Sequence, residues 1–256
     1  MTKLKNRTIA ANWKMYKNPR EAREFFGKFL PNLPEGKVPG MLFFPPAISL
    51  QSASESIVDC DTVELGIQNI HWENEGAFTG EHSAAMASFL GAGFVLVGHS
   101  ERRHLFGESD HEIKNKVAAT IGAGLKPVVC VGEKREERLS GRTAEVLTRQ
   151  LNAILSEICS EAPGDVLFAY EPVWAIGTGM LPESHEIEEA HSHIRDWLRI
   201  EIGQKVSSTT QILYGGSVNE LNSGDLIKLE NVDGLLVGGA SLDPIRFAKI
   251  VESAVL

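Results

Sequence analysis

Cysteine is scarce in this chain of 256 residues. Cys60, Cys130 and Cys159 are odd in number, widely separated and without metal-ligand spacing, which fits reduced thiols better than a disulfide framework. Apolar runs are short, and none has the length needed to span a bilayer. The first seven residues lack the apolar stretch of a secretory signal. Positive charge is also in deficit. A formal net charge of −9 argues against nucleic acid or an anionic membrane as the main partner, and any anionic ligand must be held by local groups. The expectation is a soluble cytoplasmic protein.

What is present is a rhythm. Short β-rich apolar runs fall at residues 8–13, 41–44, 63–68, 94–98, 126–131, 166–170, 211–214 and 234–237. Eight runs over this length leave about 32 residues for each, the size of one βα unit. Phe94-Val95-Leu96-Val97 and Leu235-Leu236-Val237 are apolar throughout, as parallel strands covered on both faces must be. Helix signals fill the gaps. Asn18-Pro19 reads as a cap and first-turn proline for a helix over 20–30, and Ser109 with Glu112 has capping-box spacing for one running to about Ile121. Ser184 precedes a long amphipathic segment ending near Gly203, and Asp243-Pro244 opens a last helix over 245–254. Without linker or low-complexity tract, residues 1–256 read as one domain.

Alternating strands and helices fit either a closed barrel or a doubly wound open sheet. Gly91-Ala92-Gly93 and Gly122-Ala123-Gly124 look like pieces of a dinucleotide fingerprint, but each follows a helix and precedes a strand, the reverse of the order that binding requires. They read as helix ends and tight αβ turns. The expected fold is therefore α/β, a single (β/α)8 barrel with eight parallel strands.

In such a barrel every C-terminal strand end faces one mouth. Polar residues gather there: Asn12 and Lys14 after the first strand, His99-Ser100-Glu101 after the fourth, Glu171 after the sixth, and the turns Gly215-Gly216-Ser217 and Gly238-Gly239-Ala240-Ser241 after the last two. Taken singly, Lys14 is a solvated lysine, His99 a structural histidine and Glu171 an ion-pair partner. Their convergence on one rim favours a site. Cys130, on a strand, reads as a small core residue rather than a nucleophile. His185, Glu188, Glu189, His191 and His193 crowd one helix, but without a second histidine at metal-protease spacing they read as a solvated face.

The residue types suggest a chemistry. Glycine-rich turns can aim bare backbone N–H groups at a phosphate, and the turn opening at Gly239 can add the positive end of a short helix. A single carboxylate beside an imidazole suits proton abstraction next to a carbonyl, with His99 and Asn12 donating to the oxygen that becomes negative. After Glu171, Pro172 ends the strand, and Val173-Trp174-Ala175-Ile176-Gly177-Thr178-Gly179 reads as a loop able to cover the base and exclude water.

Six blocks, in order from the first strand to the eighth, resemble triosephosphate isomerases. They are Asn12-Trp13-Lys14-Met15, Gly76-Ala77-Phe78-Thr79-Gly80-Glu81, Val97-Gly98-His99-Ser100-Glu101-Arg102-Arg103, Ala169 through Gly179, Tyr214-Gly215-Gly216-Ser217-Val218, and Val237-Gly238-Gly239-Ala240-Ser241-Leu242. The resemblance implies a TIM barrel and reversible interconversion of dihydroxyacetone phosphate and D-glyceraldehyde 3-phosphate, in glycolysis and gluconeogenesis, with no cofactor and no metal. It implies Glu171 as base, His99 as electrophile, Lys14 and Asn12 binding substrate and stabilising charge, and Glu101 supporting Lys14. Backbone N–H groups of Gly177, Ser217, Gly238 and Gly239 would hold phosphate. A glutamate base beside a neutral histidine at a helix N-terminus is the family's established description and is carried over from it. The resemblance also implies a homodimer in which the loop over residues 68–86, bearing Thr79, reaches the partner's site.

Three departures from the family pattern stand out. Tyr16 replaces a common asparagine, and His82 stands where an aliphatic residue is usual. Met180-Leu181-Pro182 replaces a Lys-Thr-Ala continuation and shortens that stretch by one residue, which predicts a stiffer far end of the covering loop. Two other functions compete: a phosphate-binding barrel in which Lys14 forms a Schiff base, and a catalytically silent barrel serving as a scaffold. The second predicts a lost catalytic position, and none is missing.

Overall fold

Apolar strands without polar alternation need cover on both faces, and the architecture supplies it. A computed structural model describes residues 7–36, 38–158, 166–178 and 180–255. Cys159, Gly179 and the first six residues, all used in the sequence reading, lie outside the described residues. The strands are β1 (Thr8–Asn12), β2 (Gly40–Phe44), β3 (Val63–Ile67), β4 (Phe94–Val97), β5 (Lys126–Val131), β6 (Leu167–Tyr170), β7 (Ile212–Tyr214) and β8 (Gly234–Val237). They pair in sequence order, all parallel, and β1 returns to pair with β8 through Thr8↔Gly234, closing the barrel. The sequence reading placed all eight, with ends displaced by a residue at most.

The helices are α1 (Pro19–Phe29), α2 (Leu50–Ser56), α3 (Ala84–Phe89), α4 (Ser100–His104), α5 (Asp110–Gly122) and α6 (Arg135–Leu139). After them come α7 (Thr143–Asn152), α8 (Ser184–Glu201), α9 (Gln204–Thr209), α10 (Ser223–Leu226) and α11 (Pro244–Ser253). Asn18 caps α1 as expected and also forms a capping box with Glu21, Ser109 forms the expected capping box with Glu112, and Asp243 caps α11. Ser184 does not cap α8. Glu183 takes that place because it and Glu186 exchange backbone and side-chain bonds, leaving Ser184 as the first helical residue. Among the described residues no helix is long and apolar enough to cross a membrane.

Period-two alternation sorts the strand residues into two cores. Ala10, Leu42, Phe44, Leu96, Val128, Cys130, Ala169, Leu213 and Leu236 fill the barrel. Their neighbours, such as Ile9, Phe43, Val129, Phe168 and Val237, face the helices. There an aromatic cluster of Trp13, Phe25, Phe26, Phe29, Phe43 and Phe247 seals α1 and α11 against β1 and β2. The same alternation sets the mouth. Asn12 lies two residues beyond Ala10, and Glu171 two beyond Ala169, so both continue the inward rows at the C-terminal rim.

The histidines of α8 do not form one solvated face. His185 is exposed, but His191 is fully buried against the rings of Tyr170 and Tyr214, and His193 contacts Thr148 Oγ1 at 2.8 Å. A helical period of 3.6 turns neighbouring histidines toward different surroundings, so a crowded helix is not a single face.

Candidate active site

Asn12 and Lys14 are set by a local turn at the end of β1. The Asn12 Oδ1 accepts the Lys14 N–H at 2.9 Å, and Lys14 adopts a left-handed φ of 52°. That conformation costs a non-glycine residue about 1–2 kcal/mol. Gln68, one residue past β3, helps hold it by donating Nε2 to the carbonyls of Lys14 and Phe44, each at 2.8 Å. The Lys14 ammonium bonds Glu101 Oε1 at 2.6 Å.

Beyond β4, Gly98 turns with φ 69° and His99 becomes the N-cap of α4. Its Nδ1 accepts the Glu101 N–H at 3.3 Å, which requires a lone pair there and assigns the proton to Nε2 in the neutral ring. Nε2 stands 3.1 Å from Glu171 Oε1, while Glu171 Oε2 accepts the Ser100 N–H at 2.8 Å. The carboxylate is only 2 % exposed. Burial pushes Glu171 toward its neutral form, but the His99 charge and hydrogen bond, the Ser100 amide and Lys14 outweigh it, so its pKa lies below the ordinary glutamate value. At His99, burial favours the neutral ring. The charge of Glu171, the bond to it and Glu101 prevail over burial and Lys14 and raise the ring's pKa while Glu171 is docked there. The Glu101 amide opposes protonation, since its N–H and an Nδ1 proton would collide.

Glycine makes room for the carboxylate on two sides. A Cβ on Gly132 would lie 1.7 Å from the Glu171 carbonyl oxygen, and one on Gly215 would lie 3.0 Å from Glu171 Cγ. A cleft of about 280 Å³ opens above, lined by Asn12, Lys14, His99 and Glu171 on one side and by Gly177, Ser217, Gly238 and Gly239 on the other. The turn Gly239–Leu242 is a short 3₁₀ helix whose first residue faces that cleft. Asn219, Ala240 and Arg246 also line it, and the sequence reading did not single them out. Glu101 reaches the cleft only through Lys14 and His99, and Thr79, exposed in the loop after β3, does not line it.

The covering loop begins with a 3₁₀ turn, Val173–Ala175, where the sequence suggested only a loop. Glu133 anchors it. This fully buried carboxylate, unnoticed in the sequence, accepts Trp174 Nε1–H at 2.8 Å and the Tyr170 hydroxyl at 3.2 Å. Burial raises its pKa, opposed by Trp174, Tyr170 and Arg138. A signal existed: Glu133 follows Gly132 just past β5, much as Glu171 follows β6. Ser217 Oγ donates to the Ala175 carbonyl at 2.7 Å, joining the loop to the β7 turn. Cys130 lies wholly inside the barrel. Burial and the neighbouring Glu171 charge push its thiol well up, so it is an inert core residue.

A closed parallel barrel whose mouth joins a buried carboxylate, an imidazole and a lysine defines a (β/α)8-barrel enzyme of the acid–base kind. Comparison with known proteins narrows the class. Residues 7–254 match the Triosephosphate isomerase family. The chain is 45 % identical over 247 residues to the triosephosphate isomerase of Aquifex aeolicus, covering 96 % of this chain and 99 % of that one. It is 46 % identical over 245 residues to that of Bdellovibrio bacteriovorus (95 % and 98 % covered), and 43 % identical over 246 residues to that of Thermodesulfovibrio yellowstonii (95 % and 98 %). The chain belongs to the triosephosphate isomerase family and is an isomerase.

Proposed function

We propose that Glu171 is the base in the interconversion of dihydroxyacetone phosphate and D-glyceraldehyde 3-phosphate, the reaction of this family. The observation that supports it most directly is the Glu171 carboxylate, buried at the cleft floor 3.1 Å from His99 Nε2 and held by the Ser100 amide. To act, Glu171 leaves that amide and removes a proton from the carbon next to the substrate carbonyl. The electron pair of the C–H bond becomes the C=C bond of an enediolate as the carbonyl π pair moves onto oxygen. A proton then passes from the neighbouring hydroxyl to that oxygen, and Glu171 returns its own proton to the former carbonyl carbon. His99 Nε2–H and Asn12 donate toward the oxygens that gain charge, and Lys14 supplies a fixed positive charge. As Glu171 swings away, the influence that raises His99 weakens. The Glu101 amide at Nδ1 then favours the neutral ring that is the family's established electrophile. Backbone N–H groups of Gly177, Ser217, Gly238 and Gly239 hold the phosphate, and the loop over 173–178 closes to keep water from the enediolate. The chemistry needs no cofactor.

The same reading makes the chain one domain acting in the cytoplasm, in glycolysis and gluconeogenesis, as a homodimer. Exposed Met15 and Tyr16 after β1, Ile48 after β2, Phe78 in the loop after β3 and Met86 in α3 follow adjacent strands, and this supports a second copy packing there beside Thr79. A coupled assay with glyceraldehyde 3-phosphate tests the activity. In it Glu171→Gln loses about 10²–10⁴-fold in kcat, while a phosphate-bearing mimic of the enediolate still binds. Near-normal turnover by Glu171→Gln would refute the base assignment.

A further inference from the structure

Gln150, on the outer helix α7, reaches inward and is 2 % exposed. Its Oε1 accepts the Gly132 N–H at 2.8 Å, and its Nε2 donates to the Gly132 carbonyl at 3.1 Å. Gly132 lies one residue past β5. On the side of β6, the neighbouring residues carry the backbone bonds: Glu171 N–H to the Val131 carbonyl at 2.8 Å and Val173 N–H to the Glu133 carbonyl at 3.1 Å. The ladder from β4 to β5 has already ended, at Val97↔Val129. No strand is left to satisfy the polar groups of Gly132, and a primary amide, with one acceptor and a donor in one plane, substitutes for the missing peptide.

This clamp acts on the base. Gly132 is the residue whose Cβ would fall 1.7 Å from the Glu171 carbonyl oxygen, so the two backbones are in direct contact. On the far side, Gly215 abuts Glu171 Cγ and bonds its N–H to the Tyr170 carbonyl at 2.8 Å. Position 171 is thus fixed between two glycine backbones, one of which depends on a side chain from another element.

We propose that Gln150 is a positioning residue for the Glu171 base, fixing through both polar groups of Gly132 where the carboxylate starts and where it swings. The proposal rests on Glu171 being the base. Gln150 touches neither the cleft nor the phosphate-binding turns, so its loss acts on proton transfer and leaves substrate capture alone.

The test uses two variants of the full chain. Gln150→Met keeps the length and removes both bonds. Its kcat falls about ten- to a hundredfold, the scale for misplacing a reacting group by a fraction of an ångström to an ångström. KM and affinity for the phosphate-bearing mimic change by less than about twofold. Gln150→Glu is the conditional rescue. The protonated acid can make both bonds, while the carboxylate repels the Gly132 carbonyl, so its kcat recovers toward the parent value as pH falls. An unchanged kcat in Gln150→Met, or kcat, KM and mimic affinity worsening together, overturns the proposal. So does a Gln150→Glu pH profile parallel to the parent's, and that profile decides alone if Gln150→Met does not fold. Glu171→Gln in the same assay separates the two claims: turnover retained there removes the base reading, whereas a silent Gln150 removes only the clamp.

Discussion

His191 has no place in the proposed chemistry, yet its burial ties the fold to acid. Its Nδ1–H donates to the Asn231 carbonyl at 3.0 Å, and its Nε2 is buried without a partner. Burial depresses the ring to about 4, with Arg195 adding to that and the Asn231 carbonyl and Asp233 opposing. Below the ordinary value of 6.5 the unfolded chain binds a proton that the folded one refuses, so stability is lost as pH falls from 6.5 to about 4. The loss is about 3 kcal/mol for this residue. His191→Asn keeps a donor near the Nδ1 position and does not titrate, so equilibrium unfolding across that window gives a flatter pH dependence than the parent. An unchanged slope would place the acid sensitivity elsewhere. At this scale the sequence was informative where a residue ended a strand, as with Asn12 and Glu171. It failed where a side chain crossed from an outer element: Gln150 passed unnoticed and His191 was read as part of a solvated face, because a crowded pattern does not say which side chains turn inward or what they meet there.

Among the elements, the loop over the site has ends of different character. The near end is a 3₁₀ turn pinned by Glu133 to Trp174 and by Ser217 to the Ala175 carbonyl. At the far end Pro182 is buried immediately before the Glu183 cap, with Ile187 at the spacing of a hydrophobic staple. Arg138 of α6 then bonds Glu186 at 2.5 Å, and Glu186 closes the capping box. A fixed proline and a capped, ion-paired first turn leave few torsions free for a hinge. Replacing Met180-Leu181-Pro182 by Lys-Thr-Ala therefore speeds loop exchange, measured by relaxation dispersion, more than it alters the chemical step; unchanged exchange would dismiss the stiff hinge. Strands were legible because apolar β-rich runs bounded by turn residues have few alternatives, and helix starts because caps are chemical. The start of α8 at Ser184 shows the limit. A glutamate pair can outcompete a serine for the cap, and which of two adjacent candidates wins depends on reciprocal bonds that a linear pattern does not display.

For the whole molecule, the acidic balance and the exposed rim belong together. In the proposed function a chain of net charge −9 meets its phosphorylated substrate at the mouth, where Lys14 and Arg246 line the cleft. The apolar side chains left exposed on the loops after β1, β2 and β3 flank that mouth, so the proposed dimer would cover surface and steady the Lys14 turn at once. Thr79→Arg places an unpaired charge in the loop offered to the partner. It shifts sedimentation from dimer toward monomer and lowers kcat/KM, while a dimer that persists with full activity would exclude Thr79 from the interface.

The left-handed turn at Lys14 has a consequence for how such a protein can change. Glycine would take that φ at no steric cost, so a search for stability alone would replace the lysine, whereas under the proposed function a search for activity would retain it. Fitness under heat and fitness under substrate limitation pull this one position in opposite directions. The Gln68 bonds, which brace the turn without touching the cleft, are where the conflict can be eased without giving up the charge.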